Sequence, residues 1–88
     1  MSSNYAQITT TTQIKPMSAK LKGIFVSAAT AGTITVYDSA RSSTSDAKVI
    51  DSFAAVAGSN YNFFDGMYTN KGLYVVISGT VSCTIAYE

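Results

Sequence analysis

The chain has 88 residues, enough for one domain and one small core, and it carries no His, no Trp, a single Cys, six basic and five acidic side chains. That composition removes the commonest general acid–base group, the Cys and His clusters of zinc sites, and the cationic surplus that phosphate recognition needs. A net charge of +1 and a charged fraction of 12% leave a surface of hydroxyls and amides with no pull toward acidic partners.

In chain order, Ser2 to Gln13 is a polar segment with four consecutive threonines, Thr9 to Thr12, good strand formers with little to bury. It is expected to be extended and poorly anchored, an arm over residues 1–18 preceding a domain over 19–88, with Pro16 biasing Lys15 away from helix. The run from Ala19 to Ala28 reads as a strand with Leu21, Gly23 and Phe25 on one face and Ile24 and Val26 on the other. Ala29 to Gly32 is a predicted turn, and Thr33 to Asp38 (TITVYD) returns as the second strand of a hairpin. Ser39 to Ala47 is Ser-rich, without an apolar period, and reads as an exposed loop. Lys48 to Val56 resumes a strand, Ala57 to Asn60 turns, and Tyr61 to Phe64 is a short aromatic strand closed by Asp65 and Gly66. A further turn at Asn70 to Gly72 leads to Leu73–Ile77, and Ser78–Gly79 is read as a tight hairpin before the alternation of Val81, Cys83, Ile85 and Tyr87.

Twelve Ser, eleven Thr and ten Phe or Tyr with only two Leu and one Glu suit pleated strands and not helices. The predicted class is therefore all-β: a small antiparallel β-sandwich, jelly-roll-like or barrel-like, of six to seven strands, with an extended N-terminal arm. Val81, Cys83 and Ile85 are expected to face one core with Phe25, Ile34, Val36, Phe53 and Val75. One cysteine allows no internal disulfide, which points to folding in a reducing cytoplasm, and neither a leader pattern nor an apolar run of about 18 residues is present.

Candidate chemistry is sparse. Asp38, Asp46 and Asp51 match no metal-loop spacing and read as turn or solvated residues, so no metal or cofactor is expected. Cys83 lies on the apolar side of its strand with no His to activate it, and reads as a small buried hydrophobe. The six lysines and arginines are scattered and offset by acids, against the interleaving of cations and rings in nucleic-acid platforms. Tyr61, Phe64 and Tyr68 form an aromatic region larger than one small core is expected to cover, a pattern that marks a protein contact.

Three stretches, LKGIFVSAATAGTITVYDSA (21–40), VIDSFAAVAGSNYNF (49–63) and GLYVVISGTVSCTIAYE (72–88), resemble in order and spacing a group of small all-β structural proteins of tailed bacteriophages, the capsid decoration (cement) proteins and head-fibre accessories. The segment before Leu21 matches nothing in that group. The resemblance implies a non-enzymatic virion protein on the capsid surface, made in the host bacterial cytoplasm, whose partners are the major capsid protein and copies of itself. It implies no small-molecule substrate, nucleic acid or membrane. Arms of such proteins engage the shell, which assigns Tyr5, Ile8, Thr10 and Thr12 to strand addition at a neighbour's edge, with Tyr61, Phe64 and Tyr68 as a second contact. The alternative is a receptor- or glycan-binding virion domain using Tyr61, Tyr68 and the loop from Ser39 to Ala47; a small enzyme is the least favoured reading.

Overall fold

The computed structural model describes residues 4–88, apart from the side chains of Phe64 and Asp65. It is all-β, with six antiparallel strands: β1 (Asn4–Ile8), β2 (Thr12–Lys15), β3 (Ala19–Tyr37), β4 (Lys48–Ala54), β5 (Asn60–Thr69) and β6 (Leu73–Tyr87). They form one sheet in which β6 and β3 pair along their whole lengths at the centre. β1 and then β2 follow one edge of β6, while β5 and β4 follow the outer edge of β3.

A flat β3 of 19 residues would extend about 63 Å at roughly 3.3 Å per residue, yet the molecule measures 31 × 30 × 17 Å. The sheet is therefore doubled over into two four-stranded layers. The first contains β1, residues 81–87, residues 19–26 and β5; the second contains β2, residues 73–78, residues 33–37 and β4. Between them lies a single core in which Leu21, Ile24, Val26, Cys83 and Ile85 of the first layer meet Ile34, Val36, Leu73 and Val75 of the second. At the end away from the fold line, residues 16–18 and 70–72 cross from one layer to the other.

The fold line corrects two sequence expectations. Neither Ala29–Gly32 nor Ser78–Gly79 reverses the chain: both lie within continuous strands and face each other across β3 and β6, with Thr30 opposite Thr80 and Thr33 opposite Ser78. Gly79 takes φ +83° and Ala31 φ +50°, so turn chemistry is present but bends the sheet in place of ending it. A Cβ on Gly79 would collide with the Ala31 carbonyl, which makes this close passage of two backbones dependent on glycine. The reversal expected at Asp65–Gly66 is likewise a bulge within β5, where Leu21 pairs with Met67 but Gly23 with Asn62.

A register shift between Leu21 and Gly23 also corrects the expected strand faces. It brings Leu21 and Ile24 to the same side, so both are buried and Phe25 turns outward, 45% exposed, instead of joining the core. Phe53 is only partly buried, whereas the other expected core residues, Ile34, Val36, Val75, Val81, Cys83 and Ile85, are buried together.

The segment expected as an extended, poorly anchored arm is extended, but over residues 4–15 it is tied along β6. Asn4 to Ile8 pair with Tyr87 to Cys83 in unbroken register, and Thr12 pairs with Val75. Gln13 fixes the far end: its Nε2 donates to the carbonyls of Lys15 (3.0 Å), Ser39 (2.7 Å) and Leu73 (3.1 Å), and its Oε1 accepts from the Ser42 amide and hydroxyl. The threonine run favours extension, and the backbone pairing that it needs is supplied by the chain's own β6.

Candidate functional site

The two edges of the doubled sheet differ. At the β1 and β2 edge, Ile8 is 7% exposed and enters the core, with Ala6 and Ile14 packed against it. At the opposite edge, the layers part around an apolar cleft of about 300 Å³ lined by Ile50, Phe53 and Ala54 of β4 and by Tyr61 and Phe63 of β5. The rings of Phe53 and Tyr61 meet edge to face across it, centroids 5.2 Å apart at 74°.

Local sequence explains the opening. β4 and β5 are successive stretches of one edge, each paired only with β3, and the connection between them is pinned to β3 by Ala55 N–H to Gly32 O (2.9 Å), Gly58 N–H to Val26 O (2.7 Å) and Val26 N–H to Ser59 O (2.9 Å). The small residues of AAVAGSN hold these two strand ends close without filling the space between the layers, which the rings of Phe53, Tyr61 and Phe63 only partly occupy. Among the described residues the outer backbone groups of β4 have no sheet partner, and its one charged pair, Lys48 with Asp51 at 3.1 Å, leaves the stretch from Ser52 to Ala54 without a charge.

Polar groups elsewhere build the frame. Asp38, at the end of β3, accepts the amides of Asn70 (3.1 Å), Lys71 (2.7 Å) and Gly72 (3.2 Å), clamping the crossing between layers. Burial raises the pKa of its carboxyl, but these amides outweigh that effect and hold it below the usual carboxylate value. Asp46 bridges Arg41 (3.3 Å) and Lys71 (3.4 Å), and the Ser39 hydroxyl together with these cations lowers its pKa to about 2. The loop from Ser39 to Ala47 is thus anchored, with Ser39 buried and its hydroxyl oxygen accepting the amides of Arg41 and Ser43. Asp51 is lowered by the Ser52 amide and by Lys48. The three aspartates serve separate contacts, and among the described residues no three of His, Cys, Asp and Glu gather as metal ligands. Cys83 is buried and free, its thiol pKa pushed up by desolvation, which suits an inert core residue.

Of the sequence-predicted contact residues, Tyr61 lines the cleft, and Tyr68 is 65% exposed on the outer face of the first layer, its hydroxyl donating to Ser18 (3.3 Å). They share β5 but sit on opposite faces, so Tyr61 and Tyr68 do not form one patch; the Phe64 side chain lies outside the described residues. Tyr5 is exposed on the outer face, Thr10 is exposed at the bend between β1 and β2, and Thr12 is half-buried in β2. Ile8 is corrected from a partner contact to a core residue, because its pairing with Cys83 points it between the layers. Ile50, Ala54 and Phe63 are not among the sequence-predicted contacts, and Phe53 is expected in the core, since alternation shows that a face is apolar but not whether another layer covers it.

No helix among the described residues is long and apolar enough to cross a membrane. Compared with known protein families, with curated proteins and with solved structures, the chain matches none.

Proposed function

We propose that this chain is a non-enzymatic structural protein of a phage virion, a capsid decoration protein that seats the open β4–β5 edge on the head shell. The observation that carries the docking surface is the aromatic cleft between two strands whose outer edges are unpaired: an incoming extended segment could continue the β4 ladder and place an apolar side chain against Phe53 and Tyr61. The assignment to a shell rests on the sequence resemblance. A small domain repeated over a symmetric lattice gains avidity from many weak contacts, and a stiff frame such as the Gln13 and Asp38 clamps reduces the ordering cost of each one.

Co-sedimentation with empty phage heads tests this reading. The Phe53→Ala, Tyr61→Ala double variant, checked for an intact fold by circular dichroism, is expected to lose binding by about tenfold or more, as for central aromatic anchors. Equal binding by the folded double variant and the parent overturns the assignment of this edge, and no binding by the parent overturns the shell as partner.

A further inference from the structure

A second surface is independent of the cleft. On the outer face of the first layer, cross-strand pairing sets two rows side by side: Tyr5, Ala86, Gly23 and Asn62 in one, Gln7, Thr84, Phe25 and Asn60 in the next. Tyr5 is 76% exposed and Phe25 45%, and neither ring stacks on another described ring. With strands about 4.8 Å apart and residues about 3.3 Å apart along them, the two rings stand roughly 12 Å from each other on the diagonal, with Ala86 and Thr84 of β6 on the floor between.

Everything else in these rows is an amide or a hydroxyl. Among the described residues the rows contain no charge; at their end stand Lys20, paired with the exposed Tyr68, and the Lys22 and Glu88 pair at 3.8 Å. Gln7 is already held in place, its Nε2 donating to Ser82 Oγ at 2.7 Å. A protein interface centres on contiguous apolar area, whereas here separate rings alternate with hydrogen-bonding side chains, of which Gln7 is held in place by Ser82. That alternation complements a sugar chain, whose rings present C–H patches to aromatic faces and hydroxyl rims to amides.

We propose that this face binds a neutral oligosaccharide, with Tyr5 and Phe25 as ring platforms and Gln7, Asn60, Asn62 and Thr84 as hydrogen-bonding partners. The site differs from Tyr61 and the loop from Ser39 to Ala47, and it does not depend on the shell-docking reading.

The test is an amide chemical-shift titration of the full chain with neutral hexasaccharides, one each of β-linked glucose, α-linked glucose and N-acetylglucosamine. The expected result is saturable shifts at residues 5, 7, 25, 60 and 62 with at least one sugar. Tyr5→Ala and Phe25→Ala, both at exposed positions, should each weaken it about tenfold with unchanged melting temperature, while Tyr61→Ala in the cleft leaves it unaltered. Absence of shifts with all three sugars, shifts confined to other residues, or full affinity in both outer-face variants overturns the proposal. So does a loss of capsid binding by those two variants in a protein silent to sugars, which would make the face a protein contact.

Discussion

Gly79 and Ala31 show how a single backbone conformation sets the shape of this molecule. They occupy left-handed φ where β6 and β3 bend together, and Gly79 has no room for a side chain beside the Ala31 carbonyl. Gly79→Val is therefore expected to destabilise the protein by about 2 kcal/mol or more, while Ala31→Gly should stabilise it or leave it unchanged, because a Cβ costs about 1–2 kcal/mol in that region; thermal melts of the two variants should move in opposite directions or only the first should move. Ile85, fully buried between layers, should cost about 2–5 kcal/mol as Ile85→Ala, measurable by urea unfolding. Acid sensitivity belongs to Asp38 and Asp46. Both carboxyls titrate lower in the folded chain than their ordinary 3.8, so their stabilisation is complete above that value and is lost as pH falls through the folded pKa, about 2 for Asp46. Melting temperature should fall between about pH 4 and pH 2, and Asp38→Asn should flatten the fall while lowering the plateau at neutral pH.

Among the elements, the N-terminal strands carry the clearest consequence. β1 and β2 cover one edge of β6, deliver Ile8 to the core and place Gln13 across three carbonyls. An arm that waited for a partner could be removed without affecting the domain. Deletion of residues 2–13 removes β1 and the head of β2, exposes the edge of β6 and leaves a cavity where Ile8 packed, so the truncated chain should melt at least 10 °C lower or fail to fold, given that each 1 kcal/mol shifts a domain of this size by about 4–8 °C. A melting temperature within a few degrees of the parent would show that the N-terminal strands are dispensable. The same elements show what was readable locally: the strand periods of Ile34 and Val36 or of Val81, Cys83 and Ile85 were visible, because alternation follows from the pleat. The bulge at Lys22 was not, since one unpaired residue leaves no mark in composition, and it exchanged the expected positions of Phe25 and Ile24.

For the molecule as a whole, the doubled sheet makes nearly every pairing distant in sequence: Asn4 lies opposite Tyr87, and β3 is joined to β6 only after β4 and β5 intervene. The loop-closure entropy of such pairings must be met before they contribute, so refolding is expected in milliseconds to seconds, with stopped-flow fluorescence of the tyrosines as the check; microsecond folding would contradict this topology. The arrangement also separates two surfaces, the cleft at the β4–β5 edge and the outer face with Tyr5 and Phe25, so that one can be occupied while the other stays accessible.

The sequence by itself determined the all-β class, the loop from Ser39 to Ala47, the turn at Asn70 to Gly72 and most of the core, since these depend on local alternation and on residues that break it. Tertiary structure alone decided whether Gly79, Ala31 and Gly66 end strands or bend them, because positive φ serves a reversal and a bulge equally well until a neighbouring strand supplies the register. It also decided which aromatics are free. Phe53 looks like core in one dimension, and only the parting of two layers at the β4–β5 edge makes it, with Phe63 and the expected contact Tyr61, the lining of a cleft. Tyr5 and Ile8 lie three residues apart on one strand, yet pairing with β6 sends one to solvent and the other between the layers.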